Sequence, residues 1–555
     1  MRLHPGRAVM VVVLICAIAA FVADAAVSRS DATTTSARLL KDLNPGTNSG
    51  SPKNLLVVGS ALLFQATDGV HGIELWKSSG STAHTSMIKD INPRGDSSPG
   101  NLVTLNGILY FTANDGTRGV ELWRSDGTTA GTAIVKDINS SGSASSTPGG
   151  LVVLNNAVYF AASDSSHGRE LWKSDGTAAG TLMVKNINAG GASSRPAGLI
   201  PCAGKLYFSA TDSTYGRELW KSDGTAAGTA IVKNIRAGTA SSLSNLVAGV
   251  MGSVLYFQAN DGTNGAELWR SDGTAAGTIM LKNIRSGSPS STPNHFTVVG
   301  STLYFVADDG ISGRELWNSD GRSTGTAIVK DINPSVSSAG VSNLYALGPT
   351  LVFQANDGTH GAEPWKSDGT ATGTVMIKDI NTASSLSSNS SGFANLNGIL
   401  YFQAADGVHP VELWRSNGSA AGTFMVVHLS SGADTSPTWL TPFGSRLLFA
   451  ASEPAHGNEL WELGAFPAPQ TKIKSHPKRT VLTKKARVSA SFSFVSDQSA
   501  TKFACKLDKG GWKSCKSPKA YTVKAGKHTF QVRAANRAGS TDRSPAKWVW
   551  RVKRV

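Results

Sequence analysis

Short apolar runs cut by Gly, Asn and Asp follow one another along most of the chain, and the interval from Asn101 to Gly142 shows their order. Its four runs are Leu102 to Leu105 (a), Ile108 to Ala113 (b), Val120 to Arg124 (c) and Ala133 to Ile138 (d). Asn106-Gly107 is a hairpin signal between a and b, and Asp115-Gly116 and Asp126-Gly127 mark the next two turns, because these residues tolerate the backbone angles a tight reversal needs. Four short strands joined in this way predict an antiparallel meander. In run b Leu109, Phe111 and Ala113 alternate with Tyr110 and Thr112, so both faces are largely apolar. That pattern suits a sheet stacked between two others better than one with a wet face. Glu121 and Trp123 share a face of run c, which predicts that each tryptophan presses against the next sheet.

The meander recurs with one tryptophan per copy, at Trp76, Trp123, Trp172, Trp220, Trp269, Trp317, Trp365, Trp414 and Trp461, separated by 47 to 49 residues. A glutamate two residues earlier recurs with it, at Glu74, Glu121, Glu170, Glu218, Glu267, Glu315, Glu363, Glu412 and Glu459. A fixed period of this size marks a repeat architecture. The ends of the array are offset: a stray d run, Arg38 to Asn44, precedes the first a-b-c set, and the ninth c run, Glu459-Leu460-Trp461, has no d run after it. An N-terminal strand that completes the last sheet would remove both open edges. The expected fold is therefore all-β: a closed β-propeller of nine four-stranded blades with an N-terminal strand latch over residues 38–463, followed by a small C-terminal β-sandwich. Nine exceeds the usual four to eight blades, so two smaller rings form the alternative.

The segments Glu121-Leu122-Trp123-Arg124-Ser125-Asp126-Gly127-Thr128 and Glu170 to Thr177 resemble the signature of the bacterial ELW-and-DGT repeat proteins, sometimes labelled hyalin-like. Residues 38–463 carry the resemblance, with departures at Pro364, at Asn417 and in the truncated ninth unit. It implies an exported or surface-associated propeller and no particular chemistry. The Ser-Asp-Gly-Thr turn is also similar to the Asp-box turn of sialidases, a likeness confined to the turn.

Asp126, Asp175, Asp223, Asp272 and Asp368 each open an Asp-Gly-Thr turn, and Asp320 stands at the same place before Gly321. Such an aspartate is expected to accept backbone N–H bonds while glycine supplies the turn. A second acid ends run b at Asp68, Asp115, Asp164, Asp212, Asp261, Asp309, Asp357 and Asp406, with Glu453 in the ninth unit. Near the glutamate of run c, it suggests either loop hydrogen bonding or a calcium ion held with backbone carbonyls; no cofactor is otherwise expected. Between b and c stand His71, His167, His360, His409 and His456, against Arg118, Tyr215, Asn264 and Ser312 elsewhere. His71, His360, His409 and His456 would be consecutive around a ring, which makes their arc a candidate binding face; descent of a polar turn is the plainer explanation.

Composition changes sharply after Gly464-Ala465-Phe466-Pro467-Ala468-Pro469. Residues 466–555 hold 22 Lys or Arg and 3 Asp or Glu, so with a total of +15 the preceding chain is net negative by 4. We read 464–480 as linker and 481–555 as a basic sandwich, with strands around Val488–Phe494, Lys502–Leu507, Tyr521–Val523, His528–Ala534 and Lys547–Val552. Its run from Cys505 to Ala534 resembles the immunoglobulin-like or fibronectin-like C-terminal modules of exported bacterial proteins. The surplus charge suggests a polyanion partner; a solvated basic surface is the alternative. Trp548 and Trp550 share a face and are expected in the core.

At the other end, residues 1–25 read as a secretory signal, with Arg2 and Arg7 before the apolar run Ala8 to Val22 and Ala23-Asp24-Ala25 at the cleavage region, and 26–37 as a short leader. No later stretch is long enough to span a membrane. Export makes a Cys505–Cys515 disulfide expected and leaves Cys202 as a buried thiol. There is no phosphate loop, paired-cysteine metal pattern or His-Glu-x-x-His motif. The reading is a secreted or cell-surface, non-enzymatic scaffold for binding or adhesion. Its expected partner is an envelope polyanion or glycan, or a surface protein. Extracellular DNA stays among the polyanions, and intracellular nucleic acid does not. The alternatives are a glycan-acting hydrolase or lyase and a purely structural surface protein.

Overall fold

The computed structural model describes residues 35–334, 336–383, 385–427, 429, 434–465, 471–496, 502–535, 541–542 and 544–555. The signal segment and most of the leader lie outside them. Unit 2 has strands Gly100–Leu105, Ile108–Asn114, Val120–Ser125 and Ala133–Lys136, close to runs a to d. The pattern repeats as nine four-stranded antiparallel sheets, eight with strands in chain order. The ninth combines Thr438–Phe443, Arg446–Glu453 and Gly457–Ala465 with the N-terminal strand Thr35–Lys41. Arg38 lies opposite Glu462 and Lys41 opposite Leu460 in that pairing, the same relation that places Lys136 opposite Leu122. The displaced d run thus finds its partner at the far end of the array.

Nine hydrophobic clusters lie between these sheets. Leu63, Leu75 and Ile88 of unit 1 meet Phe111 and Trp123 of unit 2, and the same arrangement continues through Phe449 and Trp461 of unit 9. The last cluster joins Leu40, Leu43, Leu448 and Leu460 of unit 9 to Leu62, Phe64 and Trp76 of unit 1. The tryptophan therefore faces the preceding sheet and not the next one. Alternation along strand c fixes which residues share a face; the stacking direction of whole sheets decides the neighbour. Each central phenylalanine, such as Phe160 and Phe208, is fully buried, and truncating one to alanine costs about 3–5 kcal/mol.

Polar groups tie the same junctions. Lys77 Nζ donates to Gly127 O of the next unit at 2.7 Å, Arg124 Nη1 to Gly176 O at 3.1 Å and Lys173 Nζ to Gly224 O at 2.9 Å. Unit 9 has Glu462 in place of the cation, and Arg446 of its strand b donates to Gly80 O of unit 1 at 2.7 Å and binds Glu462 at 2.7 Å. Gly176, at φ +93°, is required twice over: the left-handed angle favours glycine, and a Cβ there would overlap the Tyr110 hydroxyl of the preceding unit.

The last strand of unit 9 runs to Ala465, and the C-terminal module already has a strand at Thr471–Ser475. The last two residues of the first strand and all of the second lie inside the stretch 464–480 read as linker; a single apolar residue, Ile473, made the second strand hard to see. The module pairs a three-stranded sheet (Thr471–Ser475, Val488–Ser496, Lys519–Val523) with a five-stranded one ordered Thr480–Thr483, Ala546–Arg554, Gly526–Ala535, Lys502–Leu507, Lys513–Cys515. Phe492, Phe494, Phe530 and Trp550 fill the space between them, with Trp548 half-buried at its margin. Cys505 and Cys515 form a disulfide, and Cys202 is a buried free thiol whose pKa burial raises. Among the described residues no helix is long and apolar enough to cross a membrane.

Candidate binding face

The turn between strands b and c and the loop from d to the next a lie on one side of each unit, and the start of strand c joins them. Ala266 N donates to Ser290 Oγ at 2.9 Å, and Val120 N to Ser145 Oγ at 2.8 Å. Beside this clamp the repeated glutamate is fully buried in all nine units. Glu121 accepts Ile138 N at 3.0 Å, Ser146 N at 2.8 Å and Ser146 Oγ at 2.6 Å, and Glu170 does the same with Ile187 and Ser194. Burial pushes these carboxyls up while the loop donors pull them down. Glu315 and Glu459 have Ala339 and Gly50 where other loops place a serine or threonine hydroxyl, and burial raises both to about 7.

The second acid serves a different segment. Asp115 Oδ1 accepts Thr117 N and Arg118 N at 2.9 and 2.7 Å, so the pair Asp115 and Glu121 divides its bonds between two loops. Among the described residues no group of three or more His, Cys, Asp or Glu side chains is placed to hold a metal.

The histidines close their own turns. His71 Nδ1 lies 2.7 Å from Asp68 Oδ2, His360 2.8 Å from Asp357 and His409 2.9 Å from Asp406, while His456 bonds Glu453. His167 pairs likewise with Asp164 at 2.8 Å. Arg118, Asn264 and Ser312 make the equivalent bond to Asp115, Asp261 and Asp309. The side chains thus share one local task, and Asp68 and Asp357 raise the pKa of His71 and His360 through these bonds.

The Asp-Gly-Thr turns are equally local. Asp126 Oδ1 accepts Thr128 N and Thr128 Oγ1 at 2.8 and 2.7 Å, and Ser125 Oγ pairs with Thr132 Oγ1 at 2.7 Å. The pattern repeats at Asp175, Asp223, Asp272 and Asp368, and Asp320 keeps the backbone bond, to Arg322 N. The Thr128 bonds lower the Asp126 pKa. The nine repeat indoles have buried N–H groups without a hydrogen-bond acceptor among the described residues, so Trp76 to Trp461 act through packing.

Two features escaped the sequence reading. Arginine stands immediately before the glutamate in units 3, 4 and 6, as Arg169, Arg217 and Arg314, where other units have Ile73, Val120, Ala266, Ala362, Val411 or Asn458. Arg169, Arg217 and the loop residue Arg195 line one pocket of about 580 Å³ across units 3 to 5. The three exceptions among nine aligned units were the available signal. Trp439, in the first strand of unit 9, is 45% exposed at φ +56°, unlike the buried repeat tryptophans.

In the C-terminal module, register places Lys527 opposite Arg551, Gln531 opposite Lys547, Lys506 opposite Gln531 and Ala504 opposite Arg533. The odd positions of the two long strands, with the even positions of Lys502–Leu507, form the outer face of the five-stranded sheet. Lys502, Lys527, Lys547, Arg551 and Lys553 on it are exposed. Asp508 and Asp542 are engaged elsewhere, with His528 and Thr529 and with Thr471 and Ser544. Arg533 lies over Trp512 at 4.3 Å, and Trp548 Nε1 donates to Pro477 O at 3.1 Å.

No protein-family model and no curated protein matches the chain. Among solved structures it is similar to a puromycin hydrolase (13% identity, 66% of this chain, 60% of that chain, TM-score 0.35). It is also similar to a Mycobacterium tuberculosis puromycin-hydrolyzing peptidase (10%, 75% and 60%, TM-score 0.37). A third likeness is to the extracellular domain of a B. thetaiotaomicron protein named as a one component system (10%, 91% and 87%, TM-score 0.22). The chain thus spans less than two thirds of either peptidase. Likenesses this distant carry no argument about activity.

Proposed function

We propose that this chain is an exported, non-enzymatic binding scaffold at the cell envelope, in which a closed nine-bladed propeller displays loops and the basic sandwich attaches the molecule to a polyanion. The cyclic succession of junction clusters, the Arg446 bond to Gly80 and the pairing of Thr35–Lys41 with Gly457–Ala465 support the ring. The resemblance to the ELW-and-DGT repeat proteins supports export. The observation that carries the attachment is the outer face of the five-stranded sheet. Lys527 and Arg551 sit directly opposite each other there, a like-charge pairing that costs about 0.2–1 kcal/mol and that a bound polyanion relieves. Neighbouring strands set such charges about 4.8 Å apart, a dense array for acidic glycans or wall phosphate polymers.

The test is co-sedimentation of the full chain with purified envelope material across a NaCl titration, beside a Lys527→Glu/Arg551→Glu/Lys553→Glu variant. The expected result is binding that falls steeply with salt in the native chain and a loss of at least tenfold in the variant. Salt-independent binding, or equal binding by the two proteins, overturns the attachment.

A further inference from the structure

We infer that the pocket across units 3 to 5 is an anion site, where Arg169, Arg195 and Arg217 receive the carboxylate, sulfate or phosphate group of a ligand docked on the propeller. This goes beyond the reading above, which names no ligand for the propeller and places its polyanion on the sandwich.

The pocket collects three guanidinium groups and no carboxylate. Arg217 reaches from the start of its strand c with Nη2 to Arg195 O at 2.8 Å and Ser209 Oγ at 2.9 Å and with Nη1 to Thr211 Oγ1 at 3.5 Å, and its Nε is buried without a hydrogen-bond partner among the described residues. Arg169 spends one nitrogen on Thr147 O and Thr147 Oγ1 at 2.7 and 3.1 Å. A guanidinium has five N–H donors in a planar fork, so both side chains are held in place by loop oxygens while Arg169 keeps its Nη2 donors and Arg217 one Nη1 donor for a ligand. Arg195 completes the set from the loop before strand a of unit 4, with an exposed side chain at φ +49°. Ser51, Ser98, Thr147, Thr292 and Ser436 share that positive φ in other units; only here is a cation placed on it.

Unit 6 supplies an internal control. Arg314 makes the same reach, to Thr292 O and Asn294 Oδ1, but its loop residue is neutral and the carboxylate of Asp308, paired with Arg285 at 2.9 Å, lies close enough to act on its charge. Burial lowers the pKa of Arg314 and Arg217 alike; Asp308 offsets it at Arg314, whereas the Arg195 guanidinium adds to it at Arg217. Half-buried cations gathered in one pocket repel one another unless an opposite charge joins them, and an oxyanion provides the opposite charge that the pocket lining of units 3 and 4 lacks. At about 580 Å³ the pocket is in the usual range for organic ligands, larger than a bare anion, so the anionic group is expected as a substituent.

The experiment is calorimetric titration of the full chain, at constant ionic strength in chloride, with a sulfated monosaccharide, a sugar phosphate and a uronic acid as separate probes. Arg195→Ser introduces the residue type other units tolerate there and leaves the sandwich untouched, so any binding by the basic sheet cancels in the comparison. The expected result is saturable binding of at least one probe, weakened at least tenfold by Arg195→Ser and unchanged by Arg314→Ala. The probe that binds identifies the oxyanion. No saturable binding of any probe, equal binding by native and Arg195→Ser proteins, or an equal loss in Arg314→Ala overturns the site; none of these outcomes bears on attachment through the sandwich.

Discussion

Each repeat unit buries a glutamate against the amides of its own loop, whereas the C-terminal module turns Lys527, Lys547, Arg551 and Lys553 to solvent on one sheet face. Both regions are all-β and carry many charges, but the charges do different work. A buried carboxylate with three donors is part of the fold, because removing it leaves those donors unsatisfied out of water's reach. An exposed ammonium on a sheet face contributes little to stability and is free to meet a partner. The buried glutamates of the repeats should therefore register in unfolding experiments, and the exposed cations of the module in binding experiments.

The sharpest way to break this contrast is a pair of substitutions. Glu170→Ala orphans Ile187 N and Ser194 N and leaves Ser194 Oγ only its long bond to Arg169 O, and it is expected to cost about 3–5 kcal/mol. Lys527→Ala is expected to stay within about 0.5 kcal/mol. Urea unfolding followed by tryptophan fluorescence compares them; equal effects would show that the two regions do not differ. Next in size, replacing Cys505 and Cys515 by serine opens a cross-link between residues 10 apart in sequence. The expected loss is about 3 kcal/mol in the chain-entropy model, confined to the thermal transition of the module, with the repeat transition unmoved.

The smallest effect concerns pH. Glu315 and Glu459 titrate at about 7 in the folded protein, above the ordinary carboxyl range near 4.3. The native state therefore binds more protons than the unfolded chain between these values, and stability falls as pH rises through the window. Ala339→Ser restores the hydroxyl that Ser146 and Ser194 give their glutamates. It is expected to lower the Glu315 pKa and to add about 1 kcal/mol at pH 8 while adding less at pH 5. Thermal melts at the two pH values measure the difference, and an equal gain at both would count against this origin of the pH dependence.

Much of this organisation was legible because the units repeat. Nine tryptophans and nine glutamates in step, with Asn-Gly and Asp-Gly at the turns, placed the strands of unit 2 within one or two residues at each end. The offset d run exposed the pairing of Arg38 to Lys41 with the last unit. Three things were not legible. The neighbour each tryptophan faces depends on how sheets stack, which periodicity within one strand does not encode. The strand Thr471–Ser475 has one apolar residue and borrows its order from Val488–Ser496. The arginine pocket forms across three units from residues 169, 195 and 217, and repeat logic draws attention to what recurs. For the same reason the histidines drew notice by recurring, and each of them bonds the acid of its own turn.

The pairing of Thr35–Lys41 with Gly457–Ala465 also sets a timetable. Residues 424 positions apart meet in the Arg38–Glu462 contact, the kind of distant closure that slows folding. Earlier units need only their own strands and one neighbour, so they can mature in sequence as the chain emerges. The N-terminal strand emerges first and pairs last. Until the ninth unit arrives, its backbone donors and acceptors form an open edge able to accept a strand from another copy. The interval between those two events is when this protein is most exposed to strand exchange with its own kind.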